Sequence, residues 1–370
     1  MKLTVTRKEL YEGLQIVGRV VSAHTSLPVL KNVLIQPGEG GLTLSATDLE
    51  LSVEVRVPAA VQEGGAITVP SRTFGEIVAA LPEADVTLAS GDEERMLISC
   101  RRSEYRIQAL GAEDFPSLPE VGGQVTLRLP QPLMKAMIRQ TALAASTDDT
   151  RPILTGISLS VEEGNLRLVA TDTHRLAVST RSLNGAETTG ETKVIVPARA
   201  LNELMRVLED GDEAMLEVRV DQNQILFHTD RVTLVSRLIE GQFPPYQRVI
   251  PSQYTRRLTI PRDEFQAALR RARIVARDAA AKGRVTLETS GENLIISAEA
   301  DEGRAHEEVE VVREGDDIEI AFSAEYVLET LGVLDSEGVF LELTEPLNPA
   351  VIRPVEADDY LMIVMPMQVR

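Results

Sequence analysis

Four histidines, His24, His174, His228 and His306, are the side chains best suited to proton transfer near neutral pH. They are scattered, and none sits in the H-E-x-x-H arrangement that places two imidazoles on one helix face around zinc. No G-x-x-x-x-G-K-S/T phosphate loop, no G-x-G-x-x-G after a strand and no G-x-S-x-G elbow occurs. Gly38-Glu39-Gly40-Gly41 reads more simply as a hairpin turn. The densest polar cluster is Asp172-Thr173-His174-Arg175, where a carboxylate and an imidazole could form half of an acid–base pair. A histidine satisfied within a turn accounts for the same residues. The pattern predicts no metal, no cofactor and no catalysis.

Composition narrows the remaining classes. A chain of 370 residues exceeds one ordinary core, so two or three domains are expected. Hydrophobic residues at 43% and charged residues at 26% fit a soluble globular protein. The start, Met1-Lys2-Leu3-Thr4-Val5-Thr6-Arg7, alternates and carries charge early, unlike a signal peptide. No apolar run approaches the roughly 20 residues of a membrane span. The lone Cys100 excludes an internal disulfide and suits a reducing cytoplasm. Tryptophan is absent and aromatics are 4%, against an aromatic platform for single-stranded bases. The net charge of −19 also argues against tight DNA binding, where Lys and Arg neutralising phosphates supply most of the affinity.

An internal repeat organises the chain. Leu3-Thr4-Val5-Thr6-Arg7-Lys8-Glu9-Leu10 returns as Leu127-Arg128-Leu129-Pro130-Gln131-Pro132-Leu133 and as Leu258-Thr259-Ile260-Pro261-Arg262-Asp263-Glu264-Phe265. A second strand-then-helix opening begins at Ile67-Thr68-Val69-Pro70, at Val194-Ile195-Val196-Pro197 and at Ile318-Glu319-Ile320-Ala321. Thr47-Asp48 recurs as Thr171-Asp172, and Phe115-Pro116 as Phe243-Pro244. Helical stripes run through Leu10, Leu14, Val17 and Val21, and through Leu133, Met137, Ile138 and Thr141. Period-2 strands such as Leu42-Thr43-Leu44-Ser45 follow turn signals at Gly40-Gly41 and Gly164-Asn165. Each unit is therefore expected to be α+β, with helices on one face of antiparallel sheet. The breaks fall near Pro119–Gln124 and Ile250–Thr255, predicting domains 1–122, 123–251 and 252–370.

Five segments in order carry a resemblance. The first is the N-terminal start, and the second is Ser26-Leu27-Pro28-Val29-Leu30-Lys31-Asn32. Next come Val169-Ala170-Thr171-Asp172-Thr173-His174-Arg175-Leu176-Ala177 and Gly241-Gln242-Phe243-Pro244-Pro245-Tyr246. The last is Val364-Met365-Pro366-Met367. Together they resemble the bacterial sliding-clamp family, the beta subunits of DNA polymerase III, over the whole length.

The resemblance implies three clamp domains per protomer and a head-to-tail homodimer forming a six-domain ring, helices inside and sheets outside. Such a ring holds duplex DNA topologically and without sequence preference, which reconciles a DNA role with the acidic charge. The resemblance further implies a hydrophobic groove receiving short linear peptides. Its ligands would come from the replicative polymerase, the clamp loader, repair polymerases and mismatch-repair proteins. By motif match the groove would use Leu154, Thr171, Thr173, His174, Arg175, Leu176, Pro244, Arg248, Val249, Ser323, Tyr326, Pro349, Val364, Met365, Pro366 and Met367. Methionines suit a site that repacks around varied ligands.

DNA-facing residues would include His24, Arg72, Lys135, Arg139, Arg151 and Arg199, on or near helices that are locally basic. Ring closure would pair a strand bearing Arg102, Glu104 and Arg106 with one bearing Glu302, Arg304, Glu307 and Glu308, beside Ile274 and Val275. Glu104 among arginines and Arg304 among glutamates suggest a swapped pair that faces across the joint. Three departures stand out: Thr173 where the motif has glycine, Gln368 where arginine is common, and His24 near a position often occupied by arginine. A monomeric acidic adaptor that binds peptides without encircling DNA is the alternative, and an enzyme with an unrecognised site is a third. Dimeric mass in solution separates the first two.

Overall fold

The computed structural model describes residues 1–22, 25–90, 94–183, 187–211, 213–276, 283–301 and 303–368. It divides into two compact units. One comprises Met1–Leu133, Gly185–Gly190 and Arg199–Leu238, and the other Met134–Asn184, Glu191–Ala198 and Ile239–Arg370. The second repeat thus contributes to both.

In the first unit a five-stranded sheet runs in the order Ala60–Glu63, Lys2–Thr6, Asp85–Ser90, Arg95–Cys100, Ser103–Gln108. A ten-stranded sheet beside it includes Asn32–Gly38, Gly41–Thr47, Leu51–Val57, Val232–Arg237, Gln224–His228, Met215–Val220 and Val125–Pro130. Alternation sets the core face: Leu42, Leu44 and Ala46 are buried while Thr43 is only partly covered. Helix α1 (Arg7–Val17) starts where Thr6 Oγ1 accepts the N–H of Glu9 at 3.3 Å and donates to the Glu9 carboxylate at 2.7 Å. Its Leu10, Leu14 and Val17 pack on Gly41–Thr47, Leu51–Val57 and α2 (Ser71–Ala80). Val21 lies beyond the helix, because the chain leaves it at Gly18, and Val20 is buried instead.

In the second unit a nine-stranded sheet includes Thr192–Pro197, Gly156–Glu162, Asn165–Thr171, Arg175–Ser182, Tyr360–Val364, Ala350–Pro354, Gly338–Leu343 and Arg256–Pro261 in that order. A four-stranded sheet has the order Gly303–Glu310, Asn293–Ala300, Arg284–Ser290, Glu319–Ser323. Helix α3 (Gln131–Thr141) begins in the first unit and continues in the second; Met134, Met137 and Ile138 are fully buried and Leu133 only half so. The other helices are α4 (Ala198–Val207), α5 (Arg262–Val275) and α6 (Ala324–Gly332). Helix α5 packs on Asn293–Ala300, Gly303–Glu310 and α6.

All ladders among the described strands are antiparallel, and each unit contains one joint between repeats. In the first, Val53 of Leu51–Val57 faces Leu234 of Val232–Arg237. In the second, Ala177 of Arg175–Ser182 faces Met362 of Tyr360–Val364. No described helix is long and apolar enough to cross a membrane.

Candidate functional site

The polar cluster that caught attention in the sequence is the turn between Asn165–Thr171 and Arg175–Ser182. Asp172 organises it. One carboxylate oxygen accepts the N–H groups of His174 and Arg175, each at 2.9 Å, and the other accepts Nε of Arg175 at 3.1 Å. Thr171 Oγ1 donates to the Arg175 carbonyl at 2.7 Å and accepts the Thr173 N–H at 3.2 Å. Thr173 itself adopts φ +80°, a left-handed conformation that disfavours a β-branched residue. With its carboxylate committed to three donors, Asp172 shapes a turn and orients an arginine. It does not bind the His174 imidazole, so the acid–base pair is not assembled.

The C-terminal strand lies against this turn. Arg175 faces Val364, and the Met365 N–H donates to the His174 carbonyl at 2.9 Å. Two residues on, the Met367 N–H donates to the Ala321 carbonyl at 2.7 Å, tying the segment to the strand that leads through Ser323 into α6. From α6, Tyr326 presents its ring to the Arg175 guanidinium, 4.4 Å from the centroid, while Glu329 binds the same guanidinium. The His174 ring stacks on Tyr326 at 6.5 Å with 22° between planes. Burial first, then Asp172, pushes the Tyr326 phenol above its ordinary range, and Arg175 pulls it back.

Beneath the turn is an apolar floor of Val169, Leu176, Val178, Tyr246, Val351 and Ile363, with Phe243 and Ile250 packed against it. Phe243 meets the Tyr246 ring edge-on at 6.4 Å, and the Tyr246 N–H donates to the Pro244 carbonyl at 2.7 Å. Pro349 leads into Ala350–Pro354, where Ala350 faces Val364. Thr171, Arg175, Ser323, Tyr326, Pro349, Met365, Pro366 and Met367 are half-buried, and Thr173, His174, Pro244, Arg248 and Val249 are exposed. Leu154, Leu176 and Val364 are buried. No described hydrogen bond, ion pair or ring contact ties Leu154, Arg248 or Val249 to the turn. Among the described residues no cluster of three or more His, Cys, Asp or Glu could hold a metal. What the arrangement offers is apolar surface with two thioethers and one oriented guanidinium, which is a chemistry of recognition.

Comparison with known proteins decides the family. The N-terminal, central and C-terminal domain models of the DNA polymerase III beta subunit match residues 1–119, 128–245 and 247–368. The chain belongs to the DNA polymerase III beta subunit family. The beta sliding clamp of Staphylococcus epidermidis is 31% identical over 378 residues, covering 100% of this chain and 99% of that one. A sliding-clamp crystal structure from Bacillus subtilis is 29% identical with a TM-score of 0.94, and the Pseudomonas aeruginosa beta subunit is 33% identical with a TM-score of 0.91. Each covers 100% of both chains. Membership carries the family's role: a sliding clamp is a processivity factor, a non-catalytic subunit that dimerises and binds DNA and the polymerase.

Three of the six residues expected to face DNA are paired with carboxylates. Arg72 pairs with Glu76 at 2.9 Å, Arg139 with Asp335 at 2.6 Å and Arg199 with Asp48 at 2.5 Å. Arg151 is exposed beside a short 3₁₀ helix, Lys135 is half-buried on α3, and His24 lies outside the described residues. Along the edge strands Ser103–Gln108 and Gly303–Glu310, Arg106 bonds Glu104 at 3.2 Å, Arg304 bonds Glu299 at 2.6 Å, Glu307 bonds Arg271 at 2.5 Å and Glu308 bonds His306 at 3.0 Å. Arg102 and Ile274 are exposed and Val275 is half-buried; Glu302 lies outside the described residues. Sequence reasoning missed Glu329, Asp335 and Asp48 because ion-pair partners far along the chain leave no local pattern. Phe243 and Tyr246 were visible in their motif but not as a floor.

Proposed function

We propose that the chain, with clamp domains 1–122, 123–251 and 252–370, works as a cytoplasmic head-to-tail dimer that encircles duplex DNA. It tethers the replicative polymerase, clamp loader, repair polymerases and mismatch-repair proteins through the groove around Arg175 and Tyr326. The observation that carries the groove is the backbone bridge Met365–His174 and Met367–Ala321, which holds two half-buried methionines between the turn and α6. Short peptides with apolar anchors fit such a surface, because methionine adapts to varied shapes.

The helix cations support a sliding contact. The carboxylates that already hold Arg72, Arg139 and Arg199 lower the gain from any one phosphate there, so binding is weak and falls with salt. With a charge of −19 on each protomer, retention has to come from ring closure. Loaded protein on nicked circular DNA is the test. It should stay through gel filtration and be lost when the circle is cut. Equal retention on linear and circular DNA refutes encirclement, and protomer mass in solution favours the adaptor.

A further inference from the structure

The apolar floor beneath the Asp172 turn continues past the site already described. Cross-strand partners place Leu176, Ile363, Val351, Glu342, Arg257 and Glu314 in one row across the nine-stranded sheet. Directly opposed residues share a face, so one surface runs from the floor at Leu176 to the charged side chains around Arg257. The row changes character at Val351. That residue belongs to the floor and also lines a cavity of about 130 Å³, together with Tyr254, Arg257, Glu342, Pro349 and Arg353. The volume is a little under the roughly 150 Å³ that admits benzene, which is room for one side chain.

The cavity is built around a buried carboxylate. The Glu342 side chain is 4% exposed; one of its oxygens accepts from Nε and Nη2 of Arg257 at 3.1 and 2.6 Å, and the other meets Nη2 of Arg353 at 2.9 Å. The Arg257 guanidinium lies 4.1 Å from the centre of the Tyr254 ring and 4.5 Å from that of Phe340. Both oxygens of Glu342 are thus engaged, and donors are in excess. Arg353 Nε is enclosed without a hydrogen-bond partner, and its Nη1 stands 3.9 Å from Asp358, beyond hydrogen-bond distance. An enclosed N–H without an acceptor is costly, so the arrangement favours a ligand that accepts. The carboxylates at the rim, Glu314 and Asp358, are exposed and screened by water.

We propose that this cavity is a further subsite of the groove, taking an acidic side chain that flanks the apolar anchors of a bound peptide. Arg257 neutralises Glu342, which leaves Arg353 to donate to the incoming carboxylate, while Tyr254 and Pro349 cover its methylene stem. Neighbouring strands are about 4.8 Å apart, so Glu342 and Arg257 lie about 10 and 14 Å across the sheet from Ile363. An extended peptide advances about 3.3 Å per residue, which sets the acid about three to five residues from an anchor seated over Ile363. This inference rests on the groove reading and goes beyond it by naming a ligand group and its spacing.

A glutamate scan against the full-length protein tests the subsite. The peptide from the cognate replicative polymerase is lengthened with alanine at both ends, amidated, and given a single Glu or Gln at each added position in turn. At one spacing Glu should bind roughly tenfold more tightly than Gln by fluorescence anisotropy, the size of one charge-assisted contact. That ratio should fall to unity in Arg353→Gln and shrink in Arg353→Lys, which keeps a charge beside Glu342 but loses the planar fork. The ratio is the readout, so a general loss of groove affinity does not mimic the result, and Arg353→Lys carries the test if Arg353→Gln does not fold. No Glu position gaining over Gln, while the original peptide binds, overturns the subsite and leaves the groove standing. A gain undiminished in Arg353→Lys also overturns it, because long-range charge attraction then accounts for the effect. A gain only from peptides with a free terminal carboxylate assigns the cavity to a chain end and refutes the side-chain reading. Failure of every peptide to bind overturns the groove and the subsite together.

Discussion

The guanidinium of Arg175 lies 4.4 Å above the centre of the Tyr326 ring while Asp172 and Glu329 hold it from the sides. Three contacts from two separate elements fix one cation beside an apolar surface, which is pre-organisation for binding.

Removing the ring should therefore loosen the arginine as well as the surface. Tyr326→Ala is expected to cost about 1–2 kcal/mol of affinity for a fluorescent peptide from the cognate replicative polymerase, the size of an interface anchor plus a cation–π contact. Tyr326→Phe should keep most of it. Equal loss in both variants, read by anisotropy, would place the importance in the hydroxyl and contradict the stacking role.

Met365 offers a cleaner separation of surface from core. Met365→Ala should weaken the same peptide by about 1–2 kcal/mol while dimer mass and thermal stability stay near wild type. Unchanged peptide binding with a large fall in melting temperature would make Met365 a core residue.

Thr173 supplies a test on stability alone. At φ +80° glycine is relieved of a steric penalty that a β-branched residue bears, so Thr173→Gly should raise stability by about 0.5–1 kcal/mol despite the added freedom of the unfolded chain. Denaturant unfolding measures it, and a lower midpoint would show that the threonine side chain holds the turn.

On the DNA side, Asp335 competes for Arg139 at 2.6 Å. Asp335→Asn should strengthen unloaded DNA binding and steepen the plot of log K against log salt by about 0.9, the slope of one added phosphate contact. An unchanged slope in fluorescence titrations would mean Arg139 does not meet phosphate.

The repeat, the strand alternation and the polar turn were legible because each is a local pattern. Leu10, Leu14 and Val17 are spaced for a helix and are buried on one; the stripe failed at Val21, where Gly18 ends the helix first. Leu133 was assigned to a core face that Met134 fills, since one residue of helix phase is enough to move a side chain out of the stripe. The site's motif residues were legible, but its physical character was not. Nothing near Arg175 in sequence announces Glu329, and nothing near Arg199 announces Asp48. Those pairings depend on which strands become neighbours, and strand pairing is long-range information.

That long-range pairing also sets an order on synthesis. Leu51–Val57 leaves the ribosome well before Val232–Arg237, and Arg175–Ser182 well before Tyr360–Val364. A nascent chain therefore carries first one and then the other unfilled ladder edge, each a template for wrong partners. Neither unit can finish folding from its own N-terminal segment, and the recognition turn at Asp172 meets its backing strand only once Tyr360–Val364 has been made.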